Sequence, residues 1–148
     1  MDAVQQAWER IERFVTDQQL AALPAGAAPS SIAELEQQLG LPLPVQLRES
    51  YLRHDGGPVP VATHGGGLAV VALLPLGSIA AQYEFLLEDS HGGLAGWIPV
   101  EAQPDGSFLL VGPEGQVCTV EAGDQEAAEA DADSWQEWLN WIANDLTA

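Results

Sequence analysis

Three histidines, one cysteine and 22 acidic residues are the side chains through which this 148-residue chain could do chemistry. His54-Asp55, His64 and His91 fall in or beside glycine-rich stretches, at Gly56-Gly57, Gly65 to Gly67 and Gly92-Gly93, so that converging loops could offer imidazole and carboxylate to a metal. No HExxH or CxxC spacing accompanies them. Glu129, Asp131 and Asp133 alternate as a calcium loop begins, but the turn glycine is missing and the twelfth position is Asn140 rather than glutamate. A phosphate cradle would want a glycine loop opening a helix and usually a lysine; the chain has no lysine, and its glycine clusters match neither GxGxxG nor the P-loop. Cys118 lies in a predicted strand with no motif around it, which describes an inert small hydrophobe. Paired carboxylates for glycoside hydrolysis depend on a separation that spacing does not fix, and so many acids make chance pairs expected. These residues spell out no reaction, metal site or cofactor. The expectation is a non-enzymatic protein, with a hydrolase built on the three histidines as the competing class.

What does stand out is charge. The 22 acids face four arginines, for a net charge of −18, and the imbalance is lopsided. Arg10, Arg13, Arg48 and Arg53 all lie in the first 53 residues, beside 7 acids, for a net −3; residues 54 to 148 hold the other 15 acids and no base, for a net −15. Such a surface repels phosphate backbones and anionic lipid headgroups and speeds encounter with basic proteins, so nucleic acid and membrane are excluded as partners. The longest apolar run, Leu68 to Leu76, is too short to span a bilayer, and MDAVQQAWER is not a signal pattern. A cytoplasmic protein of one domain, 1–148, is expected, with a reduced lone cysteine.

The elements that would carry these charges follow from spacing. Val4, Trp8, Ile11 and Val15 repeat as one face of a helix over residues 3 to 20, with Glu9 and Arg13 paired on the other. Ser31 and Glu34 read as a capping box that opens a second helix, with Ile32, Leu35 and Leu39 on its stripe and Gly40 as its close. After the LPLP elbow, a third helix should place Val45, Leu47, Tyr51 and Leu52 inward and pair Glu49 with Arg53. Pro58, Pro60 and the glycines that follow predict a mobile loop through Gly67, and Leu68 to Leu74 a buried strand. Ile79, Tyr83, Leu86 and Leu87 predict a helix over 78–89. QPDG and GPEG are turns between three strands, about 97–101, 107–111 and 116–120, forming an antiparallel meander with Pro99 at its edge. Residues 121 to 133 read as a solvated acidic segment. Ser134 and Glu137 repeat the capping box before a last helix with Trp135, Trp138, Leu139, Ile142 and Leu146 inward. The fold class is α+β: a small, mainly antiparallel sheet flanked by N-terminal helices and a C-terminal helix.

Several of these pieces, in this order, resemble the SUKH superfamily. They are Trp8, Ile11 and Glu12 (W-x-x-I-E), Ile32 to Glu36 (IAELE), Leu39 to Pro44 (LGLPLP), and Arg48 to Gly57 (R-x-x-Y-x-x-H-D-G-G). Trp97-Ile98-Pro99, the hairpin from Phe108 to Cys118 and the helix from Ser134-Trp135 are similar to it as well. That superfamily contains bacterial immunity proteins against secreted toxins and fungal regulators of cell-wall synthesis, and its marks are mainly structural, so no catalytic residue carries over. The resemblance implies an immunity protein that neutralises a toxin, or alternatively a regulatory scaffold related to the cell-wall regulators. Combined with the acidic second half, it leads us to expect a basic toxin domain as partner, possibly a nuclease, occluded by carboxylates standing in for phosphate. Glu84, Glu88 and Asp89 are the first candidates for the contact, because Glu84 and Glu88 are like charges four apart on one helix face. Glu121, Asp124, Glu126, Glu129 and Asp131 of the acidic segment follow, with Trp141, at the flank of the last helix's stripe, as an aromatic anchor.

Overall fold

A computed structural model describes residues 3–15, 22–62, 67–127 and 130–147. Helices α1 (Ala3–Phe14), α2 (Pro29–Leu39) and α3 (Val45–Arg53) come first, then strands β1 (Gly57–Ala62) and β2 (Leu68–Leu73) and helix α4 (Leu76–Asp89). Strands β3 (Ile98–Ala102), β4 (Phe108–Val111) and β5 (Val117–Val120) and helix α5 (Trp135–Thr147) complete the order. β1 and β2 form an antiparallel pair, and β3-β4-β5 is an antiparallel meander. The chain is thus α+β, with helices at both ends of the sequence and sheet between them.

Two cores share the meander. Leu109, Val111 and Val117 face a main core filled by Val4, Trp8 and Ile11 of α1, Leu47 and Tyr51 of α3, and Trp135 and Leu139 of α5. Their neighbours one residue along point to the opposite face, as strand alternation requires, so Phe108, Leu110, Cys118 and Val120 pack with Leu86 and Leu94 in a smaller core. Every residue of β4 is therefore buried. Helix α4 spans both, giving Leu76 and Ile79 to the first core and Leu86 to the second. Cys118 is buried and in no disulfide, packed as a small hydrophobe should be.

The meander and its turns form as the sequence predicts. Gly106 and Gly115 take φ of 90° and 88° at the ends of their turns, and Pro99 is on the edge strand. A register shift leaves Val100 without a partner in β4, and its carbonyl instead accepts from the Leu74 amide at 2.8 Å, tying the two sheets together.

The hairpin β1-β2 corrects two expectations. Residues 57–62 are a strand, not a loop, despite Pro58 and Pro60. Two prolines two residues apart aim their missing donors to the same side, so an edge strand loses nothing if that side is the open one. Residues 63–66, with His64, lie outside the described residues. Strand β2 exists but is not buried along its length: Leu68 is 52% and Val70 61% exposed, and only Leu73 at its end is buried.

The helices differ from expectation in smaller ways. α1 covers Ala3–Phe14, with its Glu9–Arg13 pair in place at 3.6 Å, and residues 16–20 of the expected helix lie outside the described residues. No capping box opens α2: Ala28 is the N-cap, without a side-chain bond, and Pro29 has already set the helical φ of the first turn, so Ser31 is inside the helix. Gly40 closes it at φ 73°, its amide donating to the Glu36 carbonyl. In α3 only Leu47 and Tyr51 of the expected stripe are buried; Val45 and Leu52 are 63% and 41% exposed.

At α5 the second capping box forms in altered shape. Ser134 Oγ accepts from the Glu137 amide at 3.1 Å, while Glu137 Oε2 reaches one residue further back, to the Asp133 amide at 3.2 Å. Ser134→Ala should therefore cost about 1 kcal/mol in chemical denaturation, and Ser31→Ala next to nothing. Equal losses would mean that the Ser134 cap contributes no more than a surface hydroxyl. Just before this cap the acidic segment is less solvated than expected: Ala132 is buried, and its carbonyl accepts from the Val117 amide at 2.8 Å.

Candidate functional site

The polar residues of the Arg48–Gly57 motif turn inward to neighbouring elements. Arg53 reaches past its helix neighbour Glu49 to α1: its Nε and Nη2 donate to Glu12 Oε2 and Oε1, both at 2.6 Å, and its Nη1 to Gln5 Oε1 at 2.9 Å. A carboxylate on α1 offers Arg53 a two-pronged acceptor that a helix neighbour cannot present in the same plane. His54 Nδ1 lies 2.7 Å from the Pro24 carbonyl and Nε2 2.8 Å from Glu12 Oε2, so both ring nitrogens face acceptors. The ring also stands edge-on to Trp8 at 4.9 Å, whose indole N–H donates to Ser50 Oγ at 2.8 Å. Asp55 Oδ1 accepts from the Leu76 amide at 2.8 Å and so caps α4 from a distance. The Tyr51 hydroxyl donates to the Leu74 carbonyl at 2.6 Å, and burial, with the Asp55 charge second, holds its pKa far above the usual phenol range. Glu36 Oε2 fixes the elbow by accepting from the Leu43 amide at 2.8 Å and Arg48 Nη2 at 2.9 Å. These residues position elements. Among the described residues no group of three or more His, Cys, Asp or Glu is arranged to hold a metal.

The carboxylates singled out from sequence behave differently, and one hydrogen bond links those of α4 to the turn after β5. Glu84 and Glu88 are exposed on one side of α4, and Asp89 at its end accepts from the Gly123 amide through Oδ2 at 2.7 Å. That bond seats the 121–124 turn against α4. Asp124 Oδ2 tightens the turn by accepting from the Glu121 amide at 2.8 Å, with Gly123 at φ 85°. Behind it the Gln125 carbonyl lies so close to Gly93 that no side chain would fit there. Asp131 accepts from Thr119 Oγ1 at 3.1 Å, next to a cleft of about 410 Å³ lined by Gln103, Asp105, Ser107, Thr119 and Glu121. There the Ser107 hydroxyl and amide both donate to Asp105, at 2.7 and 2.9 Å, and hold its carboxyl below the ordinary range. One described candidate does not join this face: Trp141, 43% exposed, stands on α5, whose main packing partners are α1, β1 and α3. Glu129 lies outside the described residues.

The sequence reading passed over one member of the face. Phe85 is 54% exposed between Glu84 and the Glu88–Asp89 pair, its ring 6.1 Å from that of buried Phe108. With Glu88, Asp89 and His91 it lines a depression of about 290 Å³. Its signal was available: an aromatic off the Ile79, Tyr83, Leu86 stripe has to be accounted for by something other than the core. A larger cleft, about 480 Å³, lies elsewhere, between the elbow at Pro42 to Val45 and the turn at Pro113 to Gly115. Its walls are mostly proline and aliphatic, and of the candidate residues it contains none.

Among the described residues no helix is long and apolar enough to cross a membrane. Comparison with curated proteins returned no match. The model of the SMI1 / KNR4 family (SUKH-1) matches residues 26–141, from the loop before α2 into the middle of α5, and leaves α1 outside. That stretch takes in the elbow, the Arg48–Gly57 hub and the meander, and on it the chain belongs to the SMI1 / KNR4 family (SUKH-1).

Proposed function

We propose that this protein is a non-enzymatic immunity protein of its family, which neutralises a basic toxin by covering the toxin's own binding groove. The observation that carries the reading is the Asp89–Gly123 bond, which seats the acidic 121–124 turn against the acidic end of α4. Separated, these acids would be solvated surface; together they form a field that attracts a basic partner and mimics the phosphates of a nuclease substrate. The motif residues, being spent on holding the fold, support a binding rather than a catalytic role. The regulatory-scaffold reading draws on the same family, and recovery of cell-wall enzymes in the experiment below would favour it.

The test uses the chain and its Glu84→Lys/Glu88→Lys variant side by side as bait in lysate from the source organism, eluted by a salt gradient. A dominant basic protein should stay on the unmodified bait, leave as salt rises, and fail to load on the variant. Its nuclease activity, if it has one, should then be blocked by the unmodified chain and not by the variant. Equal retention on both baits would remove the α4 face from the interface.

A further inference from the structure

We infer that the depression around Phe85 is a receptor for a single arginine side chain of the basic partner. This deepens the proposed function and rests on it. Three features converge there. The Phe85 ring is more than half exposed, yet it is tilted at 42° against Phe108, 6.1 Å away and buried in the smaller core, so it is anchored on the protein while still open to solvent. Glu88 is exposed one helical turn along the same side, and Asp89, held in place through Oδ2 by the Gly123 amide, lines the same depression. His91, at φ 52°, turns the chain away and forms the rim.

An apolar ring beside two carboxylates selects a ligand that is cationic, flat and partly apolar. A guanidinium meets all three conditions: it stacks on an aromatic face while its edge donates to carboxylate oxygens in a fork. An ammonium satisfies the charge but is compact and strongly hydrated, so it leaves the ring face poorly used. A neutral apolar side chain would gain the ring and strand the acids beside it. The size of the depression, about 290 Å³, suits one side chain rather than an extended segment. Phe85 would be the energetic anchor, and the surrounding acids would supply encounter rate and register.

The test needs no toxin. Hexa-arginine and hexa-lysine peptides, equal in length and charge, are titrated into the chain and followed by calorimetry and by amide shifts of residues 84–91. Hexa-arginine should bind roughly two- to fivefold tighter, with its largest shifts at Phe85, Glu88 and His91. Phe85→Ala should erase that preference by weakening hexa-arginine more than hexa-lysine, and Glu84→Lys/Glu88→Lys should weaken both peptides. Equal binding of the two peptides, or a preference that survives Phe85→Ala, would overturn the arginine receptor and leave the acidic-face reading standing. Failure of both peptides to bind the unmodified chain would overturn the two together. Phe85→Leu, which keeps an apolar side chain over Phe108, guards against the alanine variant failing through lost packing; it too should lose the arginine preference.

Discussion

Gly26→Ala should destabilise the protein by about 3 kcal/mol or more and lower its melting temperature by on the order of 10 °C. The reason is backbone against backbone. A methyl group at Gly26 would overlap the carbonyl of Leu52 in the last turn of α3. The approach is held from both sides, the Ala27 amide donating to the Tyr51 carbonyl at 2.8 Å and the Asp55 amide to the Ala25 carbonyl at 3.0 Å. No rotamer change can make room, so either those bonds break or α3 shifts against α1 and takes Arg53 and His54 with it. Gly40→Ala is the control. Gly40 has φ 73°, but a methyl group there would meet nothing within 4 Å, so the substitution carries only the left-handed backbone penalty, about 1 kcal/mol. Thermal melts of the two variants should therefore separate by several degrees. If Gly26→Ala melted together with Gly40→Ala, the close packing of the 22–28 loop on α3 would be wrong.

What the sequence made legible was local. Gly40, Gly106 and Gly115 were readable because a turn or helix end needs positive φ where glycine stands, and α5 because its stripe and Ser134 agree. Several of the failures involve a partner far along the chain. Glu49 was the obvious acceptor for Arg53 on a helix surface, but Glu12, 41 residues away, offers two oxygens in one plane. Pro58 and Pro60 excluded a strand only until β2 supplied a one-sided partner. Leu68 and Val70 looked buried because β-branched and aliphatic runs usually are, yet both are more than half exposed. The acidic surface was half legible: each carboxylate could be named, but not that Asp89 would bind the Gly123 amide and link α4 to the turn after β5. Phe85 could have been found by asking what an aromatic does opposite a filled helix stripe.

The largest electrostatic effect should come from Glu12, because one carboxylate serves both Arg53 and His54. Its side chain is 19% exposed, and burial alone would raise its pKa from the ordinary 4.5; hydrogen bonds from Arg53 and then His54, together with their charges, outweigh this and lower it. A folded state whose carboxyl titrates below the unfolded value gains stability above that value, keeps it through neutral pH, and loses it as pH falls through the folded pKa. Glu12→Gln should therefore be less stable at pH 7 by about 1–2 kcal/mol, the lower range for charged hydrogen bonds because water still reaches the site. As pH drops below 4.5 the gap should narrow, since the unfolded chain then takes up a proton at Glu12 that the folded carboxylate resists, and it should close as pH falls through the lowered folded pKa, the glutamine being unaffected throughout. Denaturant unfolding of both proteins from pH 7 to pH 3 measures it, and subtracting one from the other removes the contribution of the remaining carboxylates. Parallel acid limbs would show that Glu12 adds nothing pH-dependent, and with it the view that a single α1 carboxylate fixes the Arg53–His54 end of the family motif would fall.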